Sequence, residues 1–289
     1  MLIGCHGLVW TGNFDETGFD RAVTQSLEAG FTLLEIPLLE PDSFDVAAAK
    51  RSLARNPIAI SASLGQSADT DISSEDPDVV AAGERKLNTA LEILSELGSE
   101  YFVGVLYSQL AKYDAPATAL GRQNSLDVLR RVAERAGALG IRVGLEVVNR
   151  YETNLFNTAK QALAYLDDLG HPNVGVHLDT YHMNIEESDM VGPVLACGNR
   201  ISYVHIGESH RGYLGSGTVD FDGFFRALSL IGYTGPIAFE SFSSAVVNPD
   251  LSRSLAVWRN LWNDSADLGA HANAFIRGKI RAVETIALH

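Results

Sequence analysis

Four short apolar runs in the second half of the chain each end in a residue type that binds hard metal ions. They are VGLE ending at Glu146, VHLD at Asp179, YVH at His205 and IAFE at Glu240. Two glutamates, an aspartate and a histidine suit Mn²⁺, Mg²⁺ or Co²⁺ better than structural zinc, which favours sulfur and nitrogen. Taken singly, a carboxylate at a strand end is usually a helix N-cap or an exposed loop charge. Four at equivalent ends of successive strands change that reading. Buried acids are rarely left unpaired, and a cation is what lets three of them converge. The expectation is one divalent metal ion held by Glu146, Asp179, His205 and Glu240. The segments that follow these residues add polar groups near the same place, among them Glu152, His182, Glu208, His210 and Arg211. His182 lies three residues after a ligand candidate and gains more from its position than His210, which reads as a surface residue.

Such groups have to be delivered to one place by a scaffold. Short apolar runs alternate with stretches of helical periodicity from end to end. The pattern predicts strands at Leu2–Cys5, Thr32–Ile36, Ile58–Ala62, Tyr101–Val105, Arg142–Val147, Val174–Leu178, Ser202–Ile206 and Pro236–Glu240. Helices are expected near 15–29, 44–55, 78–97, 119–139, 158–169, 189–198 and 220–231, with a last helical segment from about 249 to 289. Gly30, Gly98, Gly140, Gly170 and Gly232 stand just before the following strands and read as helix C-caps. Eight β-then-α units without a break in composition predict an α/β fold, a closed (β/α)₈ TIM barrel in a single domain over residues 1–289. In such a barrel catalytic groups sit at the C-terminal strand ends. An open doubly wound sheet is the alternative. No GxGxxG follows a strand, and no Walker A loop is present. The polar stretch Gly65–Pro77 reads equally as a substrate lid or a plain surface loop. The last segment, with Trp258, Trp262 and Phe275, is expected to pack on its own barrel rather than form a subunit interface.

The bulk numbers narrow the partners. The 289 residues, 46% of them hydrophobic, supply enough material for one large core. A formal net charge of -14 repels phosphate backbones and anionic lipid, so neither nucleic acid nor a membrane is expected as a partner. No apolar run approaches the ~20 residues of a membrane span. Cys5 and Cys197 sit in no CxxC or Cys/His spacing and read as buried small apolar residues. The opening MLIGCHGLVW has neither the basic nor the apolar region of a secretory signal, and the expectation is a cytoplasmic protein.

At the level of motifs, GLEVVNRYETN, HLDTYHMNIEE, HIGESHRGYLGSG and AFESF resemble the D-tagatose 3-epimerase and D-allulose (D-psicose) 3-epimerase family of the xylose-isomerase-like barrels. LDTYHMNIEE is the most specific of them; GCHGLVW, GFTLLEI and SSEDPD are weaker echoes. Together they span nearly the whole chain in the expected order. The resemblance implies metal ligands at Glu146, Asp179, His205 and Glu240, and sugar contacts by Glu152, His182 and Arg211. It also implies a catalytic acid/base pair in Glu146 and Glu240, and a homo-oligomer, dimer or tetramer. The chain departs from the family at His6, where relatives often carry an aromatic residue, and at Leu106–Ala111, where some place a tryptophan. Both positions are expected to face the distal end of the sugar. His6 is therefore counted with the substrate contacts, and the preferred ketose is left open.

The chemistry follows from those residues. Removing the C3 proton of a ketose is feasible because the C2 carbonyl turns the carbanion into an enediolate, which a metal on O2 and O3 stabilises. Inversion needs a base on one face and an acid on the other, which Glu146 and Glu240 can supply across the barrel mouth. No cluster of Lys or Arg marks a phosphate site, so an unphosphorylated ketose is expected, with Lys112 and Arg150 the cations nearest the mouth. Candidate pairs are D-fructose/D-allulose, D-tagatose/D-sorbose and L-ribulose/L-xylulose. The rivals are an aldose–ketose isomerase of the same barrel superfamily, a metal-dependent phosphodiesterase, and a sugar-binding barrel without turnover.

Overall fold

Eight strands close on themselves in chain order, every neighbouring pair parallel, with β1 (Ile3–His6) pairing β8 (Ile237–Phe239) to complete the ring. The strands between are β2 (Leu33–Pro37), β3 (Ala59–Gln66), β4 (Tyr101–Gln109), β5 (Arg142–Glu146), β6 (Val174–Asp179) and β7 (Ile201–Ile206). This computed structural model describes residues 1–286. The expected closed barrel is the observed one, and the open sheet is excluded by the β1–β8 register.

Helices alternate with the strands on the outside. They are α1 (Glu16–Glu28), α2 (Val46–Arg55), α3 (Pro77–Leu97), α4 (Ala119–Ala138), α5 (Ala159–Leu169), α6 (Thr180–Glu186), α7 (Gly192–Cys197), α8 (Phe221–Leu230), α9 (Pro249–Ser254) and α10 (Ser265–Ile286). Their starts are written locally. Asp15, Asp45, Thr118 and Asp220 accept backbone N–H groups of the first turns, and Thr158 with Gln161 forms a capping box. All five glycines expected to stop helices have positive φ, between 65° and 85°. The main core lies between sheet and helices, where outward residues such as Leu34, Ile60, Phe102, Val176 and Phe239 meet Phe19, Leu91, Leu129, Leu166 and Phe224. Inside the barrel a separate apolar layer of Leu33, Val103, Tyr203 and Ala238 closes the floor beneath the polar residues.

Three expectations are corrected. The segment after β6 begins a helix at once, α6, because Asp179 caps it by accepting the Tyr181 N–H at 2.7 Å. What was read as one helix over 189–198 is the shorter α7. The last segment is not continuous either: α9 ends at Ser254, Ala256 adopts φ 52°, and a helix resumes only at Ser265. Trp262 is buried and the Phe275 ring packs edge-on against Phe221 at 5.1 Å, whereas Trp258 is 70% exposed. The stretch expected as lid or surface loop is partly absorbed into β3, which runs on to Gln66. Its remainder is anchored by buried Ile72 and by Asp71, which accepts from the Tyr113 hydroxyl at 2.6 Å. No helix among the described residues is long and apolar enough to cross a membrane.

Candidate active site

Strand alternation sends every second residue inward, and at the C-terminal ends of β5 to β8 those residues are the four strand-end candidates. Register places Asp179 beside His205 and His205 beside Ala238, one step from the end of β8, where Glu240 follows. Glu146 lies at the end of β5, its backbone carbonyl fixed by the Tyr107 hydroxyl of β4 at 2.8 Å. One donor atom from each of Glu146, Asp179, His205 and Glu240 falls within 4.8 Å of the others, and all four residues are buried. His205 Nδ1 is 3.5 Å from a carboxylate oxygen of Glu146 and equally far from one of Glu240. It is hydrogen-bonded to neither. A bare ring nitrogen surrounded by three carboxylates, all out of water, is a donor set that fits a hard divalent cation.

The sugar-contact candidates close round this cluster. His182, on α6, lies 3.6 Å from Asp179 and 3.7 Å from Glu146 through Nε2. Its Nδ1 receives the Asn149 backbone N–H at 3.2 Å. With two Asn149 donors on Nδ1, the neutral ring carries its proton on Nε2, which faces the cavity with Arg211 Nη2 3.4 Å away. Glu152 comes from the loop after β5, held by Asn149 Nδ2 at 2.9 Å. The same loop is tied down from outside by Arg150, which donates through its backbone N–H and two guanidinium N–H groups to Glu186 of α6. Arg150, one of the two cations that had kept a phosphate substrate in view, is thus committed elsewhere. Arg211 reaches in from the loop after β7, donating to Asp179 at 3.2 Å and to Glu240. Its guanidinium lies 3.9 Å over the Tyr181 ring and 4.8 Å from that of Phe242. Its backbone has φ 61°, an uncommon conformation for a side-chain-bearing residue and a frequent one at functional sites.

His6, expected at the distal end of the sugar with Leu110, instead lies buried beside the cluster, its Nε2 3.7 Å from Glu35 and its ring 6.2 Å from that of His205. Its Nδ1 accepts from the Leu8 N–H, so Nε2 carries the proton, 3.0 Å from Ser63 Oγ. The cavity, open to solvent, has His6, Glu146, Glu152, His182, Arg211 and Glu240 as its polar lining. Leu8, Leu39, Leu110, Phe242, Leu251 and Leu255 supply its apolar lining, with Phe242 against Arg211 and His6. Leu110 fits there because Gly65 faces it; a Cβ on residue 65 would come within 2.7 Å of the leucine side chain. Arg211 is the cavity's only Lys or Arg among the described residues. His210 stays outside the cluster, its ring meeting Ser216 and the Gly212 N–H.

Without a metal the carboxyls are split in character. Burial pushes Glu146, Asp179 and Glu152 up to about 7 each. Burial also acts on Glu240, but Arg211, His205, His6 and His182 outweigh it and hold the carboxyl below the usual range. Burial disfavours a charged His205, yet Glu35 and Glu240 override it and raise its pKa well above that of free imidazole. His182 and His177 are pushed well below the ordinary value, again chiefly by burial.

Two residues at the site, Glu35 and His177, escaped the sequence reading. Glu35, the middle residue of β2, points into the barrel and meets His205 Nε2 at 2.8 Å; it lies below the strand end, where the strand-end rule does not reach. His177 lies two residues before Asp179 on the same inward face, fully buried, with neither ring nitrogen hydrogen-bonded. Glu208 is buried and accepts the N–H groups of Ser209, Gly215 and Val219. It folds the loop that presents Arg211.

The chain matches the family model described as the xylose isomerase-like TIM barrel over residues 23–261. It is 63% identical over 289 residues to the ketose 3-epimerase of Arthrobacter globiformis, with both chains covered completely. It is 51% identical to the L-ribulose 3-epimerase of a Methylomonas species, covering 95% of this chain and 96% of that one. The crystal structure of a Methylomonas D-allulose 3-epimerase in complex with D-allulose superposes with a TM-score of 0.95 at 50% identity, over 96% of this chain and 97% of the other. With relatives matched from end to end, the chain belongs to the ketose 3-epimerases of the xylose isomerase-like TIM barrel family.

Proposed function

We propose that this protein inverts C3 of free keto-sugars, with Glu146 and Glu240 as the acid/base pair and a single Mn²⁺, Mg²⁺ or Co²⁺ held by Glu146, Asp179, His205 and Glu240. One observation carries the reading: these four residues, from four consecutive strands, bring their donor atoms within 4.8 Å at the barrel mouth. When bound, a divalent cation there supplies Lewis-acid polarisation of the C2 carbonyl and stabilises charge on the neighbouring oxygens. The rest is the work of the chain. Against burial, Arg211 and His205 favour the ionised form of Glu240, whereas burial raises Glu146 to about 7, so the two carboxyls sit in different electrostatic surroundings on which a bound cation would act by lowering both. One removes the C3 proton, the other returns a proton to the opposite face, and the roles exchange when the reaction reverses. His182 offers an Nε2–H to a sugar oxygen, Arg211 and Glu152 hold hydroxyls, and His6 closes the same end. The apolar wall excludes water from the intermediate and accepts the distal carbons of the sugar. Arg211, the one Lys or Arg lining this cavity among the described residues, is already engaged by Asp179 and Glu240, which supports an unphosphorylated substrate.

Proton NMR in D₂O tests the reading. D-allulose, D-fructose or L-ribulose, incubated with enzyme and Mn²⁺, should yield the C3 epimer with deuterium at C3. An aldose as main product, or label at C1 alone, would establish the isomerase instead. Glu240→Gln should lower turnover by at least about 100-fold, the range for loss of a positioned proton-transfer group, while the sugar still binds. A wild-type rate in that variant refutes the role given to Glu240.

A further inference from the structure

His205 enters the four-residue cluster with Nδ1, and what holds the other side of its ring is a second buried carboxylate. Nε2 lies 2.8 Å from Glu35 Oε2, and both side chains are fully buried. Glu35 belongs to β2 and His205 to β7, strands that are not neighbours, so the contact spans the barrel interior. Packing alone does not call for a carboxylate at this depth. Two residues earlier on the same face, Leu33 sits in the apolar floor with Val103 and Tyr203. A charge taken that far from water persists only where a partner compensates it. The other oxygen of Glu35 has no hydrogen-bond partner; its neighbour is His6 Nε2 at 3.7 Å, whose closer contact is Ser63.

We propose that Glu35 is a positioning residue for the metal ligand His205, an inference that rests on the metal-site reading above. A carboxylate can only accept, so the proton shared with His205 stays on Nε2. The lone pair of the neutral ring is then on Nδ1, facing Glu146, Asp179 and Glu240. The contact fixes the plane of the ring, and the negative charge behind it makes Nδ1 a stronger donor.

Metal binding, rather than turnover, tests this. Wild type, Glu35→Gln and Glu35→Leu, each stripped with chelator, would be titrated with MnCl₂ by calorimetry and with CoCl₂ by visible absorption. Wild type should bind one equivalent. The leucine variant should lose affinity by roughly 10- to 100-fold, the range for an outer partner of a ligating histidine, with an altered Co²⁺ spectrum. The glutamine variant should fall between, because its amide oxygen still accepts from Nε2–H without the charge. Unchanged affinity and an unchanged Co²⁺ spectrum in the variants overturn the inference and leave the metal site standing. A wild-type protein that binds neither ion overturns both. Should the leucine variant fail to fold by circular dichroism, the isosteric glutamine decides: several-fold weaker binding supports the inference, wild-type affinity refutes it.

Discussion

Glu152 is a buried carboxyl of the site that is not itself among the proposed ligands, although Glu146 and Glu240 both act on it. Its carboxyl is pushed up to about 7, first by burial. Because that value lies above the unfolded one, its contribution to stability is fully present below about pH 4.5 and is lost as pH rises through 7. The shift is worth up to about 3 kcal/mol. Glu152→Gln removes the titration, so in EDTA its melting temperature relative to wild type should be higher at pH 8 than at pH 5, by roughly 5 °C. Equal differences at the two pH values would show that the carboxyl is not desolvated in this way. The residues most readable from sequence were those whose type and place in a strand spoke together: Glu146, Asp179, His205 and Glu240. Glu35, inside its strand rather than at its end, carried no such signal, and its partner 170 positions away is brought close only by barrel closure. The tautomers of His6 and His182 were likewise hidden, since they depend on which backbone N–H points at the ring.

At the level of elements, loops do the final positioning, and one buried acid organises the most demanding of them. Glu208 gathers three backbone N–H groups, and Gly217 passes so close that a Cβ there would meet Glu208 Oε1 at 2.3 Å. Glu208→Gln turns part of that acceptor into a donor facing donors. A loss of about 1–3 kcal/mol is expected, the cost of leaving buried groups unpaired, together with a higher KM as Arg211 is presented less well. Unchanged melting and unchanged KM would refute this. The strands and most helices were legible because caps and glycine stops mark them. The missed helix, α6, is short and starts directly on a candidate ligand, so its cap was read only as chemistry. The break after α9 has no glycine or proline to announce it; Ala256 takes a positive φ in a stretch of sequence that reads as helical.

For the whole molecule, the consequence of a cluster of buried carboxylates is linkage between metal and stability. A ligand that binds only the folded protein stabilises it by about 2.7 kcal/mol at 100 times its dissociation constant. That corresponds to roughly 5–10 °C in melting temperature for a domain of this size class. Mn²⁺-saturated protein should therefore melt well above EDTA-treated protein, and coincident melts would contradict the metal site. The barrel itself was readable from the alternation of eight β-then-α units. Its closure is a property of register, which no single segment states.

The barrel mouth is unevenly divided. The four proposed ligands all hang from β5 to β8, while much of the apolar wall comes from Leu8, Leu39 and Leu110 in the first half and from Leu251 and Leu255 on the segment around α9. Heredity can treat these as two inheritances. Under the proposed function, a changed leucine would recut the space offered to the far end of the sugar and leave the proposed acid/base pair in place. One ancestral reaction can in this way pass among sugars of different length and handedness by small steps, each intermediate still a working enzyme.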